Sequence, residues 1–316
     1  MTVKPSVLVT KRLPSVAVNR LAEVCDVDLH DGAAFLTHDE LVARVKGKQG
    51  LVALMPDQVN RAVLEAGTDL KVVSVVAVGY NNIDVAAARE RGIVVTNTPD
   101  VLTESTADLT WSILLGIMRR TVEGDRLVRR GGWKGFAFDF MLGTELAGKQ
   151  MGIVGYGRIG QAVARRARAF GMRVAFAARG AKAYDDAEAM PLDRLLATSD
   201  VVSLHCPLTP ETTHLIDQPA LARMKRTAYL VNASRGPVVD EAALAWALKN
   251  RLISGAALDV YEEEPKVHPD LLTLENVVLS PHLGSSTSET RTAMADLAVR
   301  NVLAVLAGEP ALTPIP

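Results

Sequence analysis

Three residues able to do chemistry, Arg235, Glu264 and His282, each lie in a loop that follows a predicted strand. An imidazole can give a proton to the oxygen of a carbonyl group that is being reduced. A carboxylate beside the imidazole stabilises its protonated form and fixes its orientation. A guanidinium can bind a substrate carboxylate and polarise the carbonyl. Singly, each residue also has a structural explanation, as a cap, a solvated carboxylate or a turn histidine.

Reduction of a carbonyl group also needs a source of hydride, and the segment 150–170 indicates one. An apolar stretch precedes Gly155, Gly157 and Gly160, which are spaced G-x-G-x-x-G, and a helical pattern follows. This context is typical of a dinucleotide site: Gly155 allows a tight turn, Gly157 lets the backbone approach a pyrophosphate, and Gly160 lets the helix lie against its strand. The phosphates are expected at the helix N-terminus. The alternative is an ordinary tight turn that binds nothing.

The end of the next predicted strand indicates which dinucleotide is preferred. NAD sites commonly carry an acidic residue there, but this stretch reads Ala177-Ala178-Arg179-Gly180. Arg179 offers a guanidinium where a 2′-phosphate would lie. The sequence therefore predicts that NADP(H) is preferred and that NAD(H) is possible, unless Arg179 is only an exposed turn residue.

Short β-branched runs alternate with helical patterns before residue 97 and again after residue 150, which predicts two parallel α/β sheets. The predicted strands are 7–10, 27–29, 51–54, 72–76, 93–96, 151–154, 174–177, 201–204, 229–232, 255–258 and 277–279. The predicted helices are 16–24, 38–45, 58–66, 85–90, 103–120, 159–170, 191–198, 219–224, 241–249 and 287–307. Because no strand follows the last helix, we expect it to return to the first domain and make that domain discontinuous.

An irregular loop is predicted from Gly131 to Gly148. It contains Phe136, Phe138 and Phe140, which we expect to be buried lining or, less often, a wall for a partner or substrate.

Composition excludes several classes of protein. The chain has 316 residues, 48% of them hydrophobic, and a net charge of −1, so a large core is expected and binding to nucleic acid or a membrane surface through bulk charge is not. Cys25 and Cys206 lack metal-ligand spacing, so neither a disulfide framework nor a metal site is expected. Without an apolar signal segment or membrane span, we expect a soluble protein of the cytoplasm.

Several motifs make the chain resemble the D-isomer-specific 2-hydroxyacid dehydrogenases over almost its whole length. The matching segments are Leu146-Ala-Gly-Lys149, the glycine fingerprint, His205-Cys-Pro-Leu-Thr209, Asn232-Ala-Ser-Arg235-Gly236, Leu258-Asp259-Val260, Glu264-Pro265 and Pro281-His282. The chain is most similar to the glyoxylate/hydroxypyruvate reductase branch in Thr98-Pro-Asp-Val-Leu-Thr103, Gly131-Gly-Trp133 and His282-Leu-Gly-Ser285.

The resemblance implies a Rossmann-type doubly wound dinucleotide domain, 100–287, and a discontinuous flavodoxin-like substrate domain, 1–99 with 288–316. It implies a catalytic set of Arg235, Glu264 and His282. Implied cofactor contacts are Thr106, Gly155, Tyr156, Gly157, Arg158, Ile159, Gly160, Ala178, Arg179, Gly180, Cys206, Pro207, Ala233, Ser234, Asp259 and Gly284, with Asp259 accepting from the nicotinamide carboxamide. The implied substrate contacts are the backbone N–H groups of Ala77, Val78 and Gly79, together with Arg235, His282 and Trp133. The resemblance also implies a homodimer that forms through the dinucleotide domain. In that dimer, Trp133 would reach the active site of the neighbouring subunit.

The resemblance thus implies NADPH-preferring reduction of a small 2-oxo acid, glyoxylate or hydroxypyruvate, to the D-2-hydroxy acid. Ala77 stands where some glyoxylate reductases have Ser, which leaves the substrate open. Alternatives are another dehydrogenase of the superfamily, for example one that oxidises phosphite, or a dinucleotide-sensing protein of the corepressor kind. Corepressors carry extra tails that we do not expect here, and formate dehydrogenases pair their histidine with Gln in place of Glu264.

Overall fold

The computed structural model describes residues 4–180 and 184–316. Its strands, in chain order, are β1 (Ser6–Val9), β2 (Asp26–Leu29), β3 (Gly50–Ala53), β4 (Val72–Val75), β5 (Val94–Thr96), β6 (Gln150–Val154), β7 (Arg173–Ala177), β8 (Glu188–Ala189), β9 (Val201–Leu204), β10 (Tyr229–Asn232), β11 (Gly255–Leu258) and β12 (Val277–Leu279).

Its helices are α1 (Ser15–Val24), α2 (His38–Arg44), α3 (Arg61–Ala66), α4 (Val85–Glu90), α5 (Thr103–Met118), α6 (Thr121–Arg129), α7 (Arg158–Ala169), α8 (Leu192–Thr198), α9 (Gln218–Arg223), α10 (Glu241–Lys249), α11 (Pro269–Thr273) and α12 (Ser288–Leu306). A 3₁₀ turn spans Gly236–Val238.

The chain divides into two compact units. The first comprises the chain up to Leu102 and from Ser286 to Pro316, and the second comprises Thr103–Ser285. Each unit is built on one parallel sheet, so the predicted α/β class is confirmed.

The first unit has the strand order β2-β1-β3-β4-β5, which is the flavodoxin-like order. All residues of β3 and β4 are buried, as expected for a parallel sheet covered by helices. The final helix α12 packs on β3, β4 and α1. A Cβ atom added at Gly50 would lie 3.1 Å from Val302 of α12, so glycine at this position allows the close approach. The last helix therefore completes the unit that begins the chain.

The second unit has the order β12-β11-β10-β9-β6-β7-β8, a doubly wound Rossmann order extended by one strand. The strand order changes direction between β6 and β9, which is where such sheets bind ligands. The helices α5 and α7 pack together on one face. There the ring of Trp111 stacks on Phe170 at 4.6 Å, and its Nε1–H donates to the Val163 carbonyl at 3.2 Å.

Some element boundaries differ from the expected ones. The predicted helix 103–120 ends at Met118, because Arg120 takes a left-handed conformation (φ 54°) that begins the unpredicted helix α6. The predicted helix 58–66 begins only at Arg61, because the Asn60 side chain caps it by accepting the Val63 N–H at 3.3 Å. The short elements β8 and α11 were not predicted.

The expectation that the loop aromatics would be buried is wrong within this chain. Phe136 is 88% exposed, Phe138 92% and Phe140 43%, and Leu142 beside them is also exposed. The segment therefore presents several apolar side chains on the surface of the second unit.

Among the described residues, no helix is both long and apolar enough to cross a membrane.

Candidate active site

The turn after β6 requires glycine for two reasons. Gly155 has φ +91°, and a Cβ atom on it would lie 2.6 Å from the backbone of both His205 and Cys206. A Cβ atom on Gly160 would lie 2.3 Å from the Gly155 carbonyl oxygen. The fingerprint thus brings the end of β6 against the end of β9 and seats α7 closely on its strand.

Gly157 has a different role. It is the N-cap of α7, and a Cβ atom on it would meet nothing within 4 Å. No side chain caps the helix at this position, and Arg158 and Ile159 form the first turn. An open surface at the positive end of a helix suits the approach of a pyrophosphate.

A cavity of about 300 Å³ adjoins this turn. It is lined by Tyr156, Gly157, Phe176, Ala178, Arg179, Gly180 and Tyr184, none of which is acidic. Tyr156 stacks on Phe176 at 4.3 Å and receives the edge of Tyr184 at 4.9 Å, which gives the cavity a rigid aromatic wall. These residues, with the open face of Gly157, fit a dinucleotide.

Among the described residues that line this cavity, Arg179 is the one with a cationic side chain. Its side chain is 74% exposed, and Nη1 lies 3.8 Å from Oε2 of Glu211, which is itself 68% exposed. An exposed pair at this separation is worth little, so Arg179 can exchange Glu211 for a phosphate.

A second group of expected cofactor residues meets at Asp259. This residue is 1% exposed, and its carboxylate accepts the N–H of Leu283 at 2.7 Å and of Gly284 at 2.8 Å. Burial raises the pKa of Asp259, although these N–H bonds oppose the effect. A Cβ atom on Gly284 would lie 3.5 Å from the Thr106 side chain, so Thr106, Asp259 and Gly284 are close together.

The loops after β9 and β10 carry the remaining expected contacts. Cys206 is buried, which raises its pKa to about 11 and keeps the thiol protonated, and Pro207 follows it. Ala233 and Ser234 lie in the loop after β10. Asn232, which was not among the predicted site residues, holds this loop in place through hydrogen bonds. Its Oδ1 accepts the Ser234 N–H at 3.1 Å and its Nδ2 donates to the Arg235 carbonyl at 2.9 Å.

The structure brings Glu264 and His282 into contact. Nδ1 of His282 lies 2.8 Å from Oε2 of Glu264, with side chains 37% and 36% exposed. His282 has φ +54°, and its N–H donates to the Asp259 carbonyl at 2.9 Å. No other described side chain bonds to the ring, which leaves Nε2 for a ligand.

Electrostatics couple this pair to Arg235. Burial opposes ionisation of Glu264, but the bond to His282, the Tyr261 N–H and the charge of Arg235 outweigh it and lower the pKa of Glu264. Burial lowers the pKa of Arg235, and Glu264 opposes that shift. The guanidinium also donates through Nη1 to the Ser234 carbonyl at 2.7 Å. The Arg235 guanidinium, the Glu264 carboxylate and the His282 imidazole thus form a single cluster within the second unit.

The expected substrate residues Ala77, Val78 and Gly79 follow β4 in the first unit. The Ala77 carbonyl accepts the Thr98 N–H at 2.8 Å, and the Val78 carbonyl accepts from Asn97 Nδ2 at 2.8 Å. These bonds fix the orientation of the peptides in the loop. Trp133, in the second unit, is 58% exposed.

Among the described residues, no group of three or more His, Cys, Asp or Glu side chains could hold a metal ion.

Comparison with known proteins shows the family to which the chain is similar. Residues 111–284 match the model of the D-isomer specific 2-hydroxyacid dehydrogenase, NAD binding domain. A glyoxylate reductase of Thermococcus onnurineus is 45% identical over 97% of this chain and 94% of its own length. The crystal structure of the TT0316 protein from Thermus thermophilus has a TM-score of 0.94 at 47% identity, over 98% of this chain and 100% of that one.

A third relative is the NADPH-dependent glyoxylate/hydroxypyruvate reductase of Sinorhizobium meliloti in complex with NADP and malonate. It is 35% identical, with a TM-score of 0.89, over 99% of this chain and 97% of that one. The chain therefore belongs to the D-isomer specific 2-hydroxyacid dehydrogenase family and is an NAD(P)-dependent oxidoreductase.

Proposed function

We propose that this enzyme reduces a small 2-oxo acid, glyoxylate or hydroxypyruvate, to the D-2-hydroxy acid and prefers NADPH. The observation that carries the proposal is the 2.8 Å contact between His282 and Glu264, in one cluster with Arg235. Carbonyl reduction needs a proton donor, and a histidine paired with a carboxylate is suited to that role.

Each residue of the cluster has a separate role in the reaction. Bound NADPH supplies the hydride that reduces the carbonyl carbon. His282 donates a proton from Nε2 to the carbonyl oxygen, since Nδ1 is engaged by Glu264. Glu264 fixes the orientation of the imidazole through the contact with Nδ1. Arg235 binds the substrate carboxylate and polarises the carbonyl, which stabilises the charge that develops on oxygen.

Further substrate contacts are proposed for the loop after β4. The carbonyls of Ala77 and Val78 are both bonded, so their peptides are held in one orientation before substrate arrives. Backbone N–H groups of Ala77, Val78 and Gly79 then offer donors to the substrate carboxylate, in the manner of an anion nest.

The choice of substrate and cofactor draws support from the relatives. The Thermococcus relative is named a glyoxylate reductase, and the Sinorhizobium relative is NADPH-dependent and holds NADP and malonate, a small carboxylate. In this chain, the absence of acidic side chains among the described residues lining the cavity and the exposed guanidinium of Arg179 favour a 2′-phosphate.

We also propose a homodimer formed through the second unit. The exposed apolar side chains of Phe136, Phe138 and Leu142 form a surface of the kind that a second copy covers. Trp133 lies in the same segment and is assigned a contact with the neighbouring subunit's substrate.

The direct test measures the oxidation of NADPH from its absorbance, first with glyoxylate as substrate and then with hydroxypyruvate. Both assays are then repeated with NADH. We expect turnover with both acids and a higher kcat/KM with NADPH. Turnover of neither acid by an enzyme that binds the cofactor would overturn the assigned substrate class. Equal kcat/KM for the two cofactors would overturn the NADPH preference alone.

A further inference from the structure

The segment that carries Glu264 is irregular. It leaves β11 at Leu258 and enters α11 at Pro269, and no helix or strand lies between them. A carboxylate on such a segment reaches a histidine at 2.8 Å only if other contacts fix the backbone. The contacts that do so determine whether the proton donor and its partner meet.

The strongest of these contacts comes from Glu241, the first residue of α10. Glu241 is 5% exposed, and its two carboxylate oxygens accept two backbone N–H groups of the segment. Oε1 accepts the Glu262 N–H at 2.6 Å, and Oε2 accepts the His268 N–H at 3.1 Å. One buried side chain thus binds the segment at points on both sides of Glu264.

The opposite side of the same peptide rests against the Arg235 loop. A Cβ atom on Gly236 would lie 1.8 Å from the Tyr261 carbonyl oxygen and 2.5 Å from the Glu262 nitrogen. Only glycine permits this approach. The peptide between Tyr261 and Glu262 is therefore clamped between Gly236 and the carboxylate of Glu241.

Tyr261 also contacts Glu264, through the N–H of the peptide that precedes the clamped one. The Tyr261 N–H donates to Oε1 of Glu264 at 3.1 Å, and Oε2 of the same carboxylate meets His282. The Tyr261 hydroxyl donates to the Ser280 carbonyl at 2.9 Å, in the loop that leads to His282. The contacts therefore connect Glu241, through the backbone of Glu262 and Tyr261, with the carboxylate and the imidazole.

The side chain of Glu262 in turn bonds to the backbone of Glu241 and to a histidine. Its Oε2 accepts the Glu241 N–H at 3.4 Å, and its Oε1 meets Nε2 of His214. The His214 N–H donates to the Pro237 carbonyl at 2.8 Å, next to the Arg235 loop. The network thus reaches all three loops that carry the catalytic set.

We infer that Glu241 is a positioning residue of this enzyme: it touches no reactant, and it sets the place of Glu264 beside His282 through the backbone of Tyr261 and Glu262. The inference rests on the proposed function for the meaning of an activity assay. A carboxylate is required because two N–H donors need two acceptor oxygens, and an amide offers only one. The loss of one acceptor leaves one of these donors without its partner and frees the segment to move.

Asp240 provides a matched control. It is the neighbouring residue, and its carboxylate also accepts a backbone N–H, that of Ala243 at 2.8 Å. That bond caps α10 and does not reach the Glu264 segment. Asp240→Ala should therefore lower the melting temperature through the lost cap while the catalytic loops stay in place.

The test compares Glu241→Gln with Asp240→Ala. For Glu241→Gln we expect kcat to fall by about tenfold or more, with the Kd for NADPH within about twofold of wild type, and the acid limb of the kcat/KM profile to move. For Asp240→Ala we expect kcat within about twofold of wild type. Wild-type kcat and pH profile in Glu241→Gln would overturn the inference, as would equal losses of kcat in the two variants.

A second measurement does not depend on turnover. The proton shared by Nδ1 of His282 and Glu264 should give a downfield resonance in the proton NMR spectrum, assigned by its loss in His282→Ala. We expect it to weaken or shift in Glu241→Gln and to persist in Asp240→Ala. An unchanged resonance in Glu241→Gln would refute the inference. If wild type turns over neither acid, the proposed function fails, while this resonance still decides the role of Glu241.

Discussion

Nδ1 of His282 and Oε2 of Glu264 lie 2.8 Å apart, although 18 residues separate them in the chain. Both side chains come from loops that follow neighbouring strands, β11 and β12, whose parallel pairing aligns Leu258 with Leu279. Parallel pairing places the two loops at the same edge of the sheet, so the contact follows from the register of the strands. The geometry supports a proton donor with a fixed orientation.

Replacement of His282 by Ala should reduce kcat by about 10²- to 10⁴-fold, because the developing alkoxide loses its proton donor. NADPH binding should change little, since the imidazole is assigned no cofactor contact. His38, an exposed histidine in α2, offers a control whose replacement by Ala should leave kcat unchanged. Stopped-flow turnover and titration of NADPH fluorescence measure the two effects. Full turnover by a clean preparation of His282→Ala would remove the assigned role.

The pH dependence should reflect the lowered pKa of Glu264. A carboxylate with a depressed pKa in the folded protein remains charged as the pH falls through the usual glutamate range. Activity that depends on this charge should therefore persist in mild acid and be lost only as the pH falls through the lowered value. In Glu264→Gln, kcat should be lower at every pH and this acid limb should disappear. A wild-type acid limb at or above the ordinary glutamate pKa would contradict the assignment.

Arg179→Ala should raise the Kd for NADPH by about tenfold or more and leave the Kd for NADH nearly unchanged, since only NADPH carries the 2′-phosphate. Glu211→Gln should act in the opposite direction and modestly strengthen NADPH binding, because Glu211 is the carboxylate nearest Arg179, at 3.8 Å. Isothermal titration with each cofactor gives both ratios. A loss of affinity in Arg179→Ala that is equal for NADH and NADPH would exclude a contact with the 2′-phosphate.

Two glycines of the fingerprint should respond differently to alanine. Gly157→Ala should fold with wild-type stability, because its Cβ atom meets nothing within 4 Å, yet bind cofactor poorly. Gly155→Ala should be destabilised by about 1–3 kcal/mol from backbone strain alone, with the clash against His205 and Cys206 in addition. Thermal unfolding without cofactor separates the two. A lower melting temperature in Gly157→Ala would show that the open face is needed for folding and not for binding.

Charged residues in the exposed apolar segment should dissociate the proposed dimer. Phe136→Asp combined with Phe138→Asp places two charges at side chains that are 88% and 92% exposed in the single chain, so the fold should survive. Sedimentation velocity should show a dimer for wild type and a monomer for the double variant. Phe35→Asp, at an exposed phenylalanine of the first unit, is the control and should stay dimeric. A double variant with the wild-type sedimentation coefficient would place the interface elsewhere.

The sequence was informative where the pattern is local. Alternating strands and helices predicted the α/β class, and the segment 85–90 was predicted with its observed bounds. The boundary at Arg120 could not be read, because a left-handed residue that is not glycine leaves no compositional mark. The exposure of Phe136 and Phe138 was also not predictable, since a hydrophobic side chain is usually buried but need not be.

Within the candidate site, loop positions after strands were sufficient to select Arg235, Glu264 and His282. Their mutual distances were not predictable, because they depend on strand register. Glu241 escaped notice for a similar reason. It opens a helix like many glutamates, and only the folded chain shows that its carboxylate bonds to the backbone of residues 21 and 27 positions further on.

The discontinuity of the first unit has a consequence for the order of events during synthesis. Thr103–Ser285 is one uninterrupted stretch, so a growing chain holds everything needed for the second unit before Ser288–Leu306 has been made. Until that last helix emerges, the surface of β3 and β4 that it covers stays open to water and to other chains. Of the two units, the one that is begun first is therefore completed second, and removal of α12 would uncover the face of β3 and β4 that it covers.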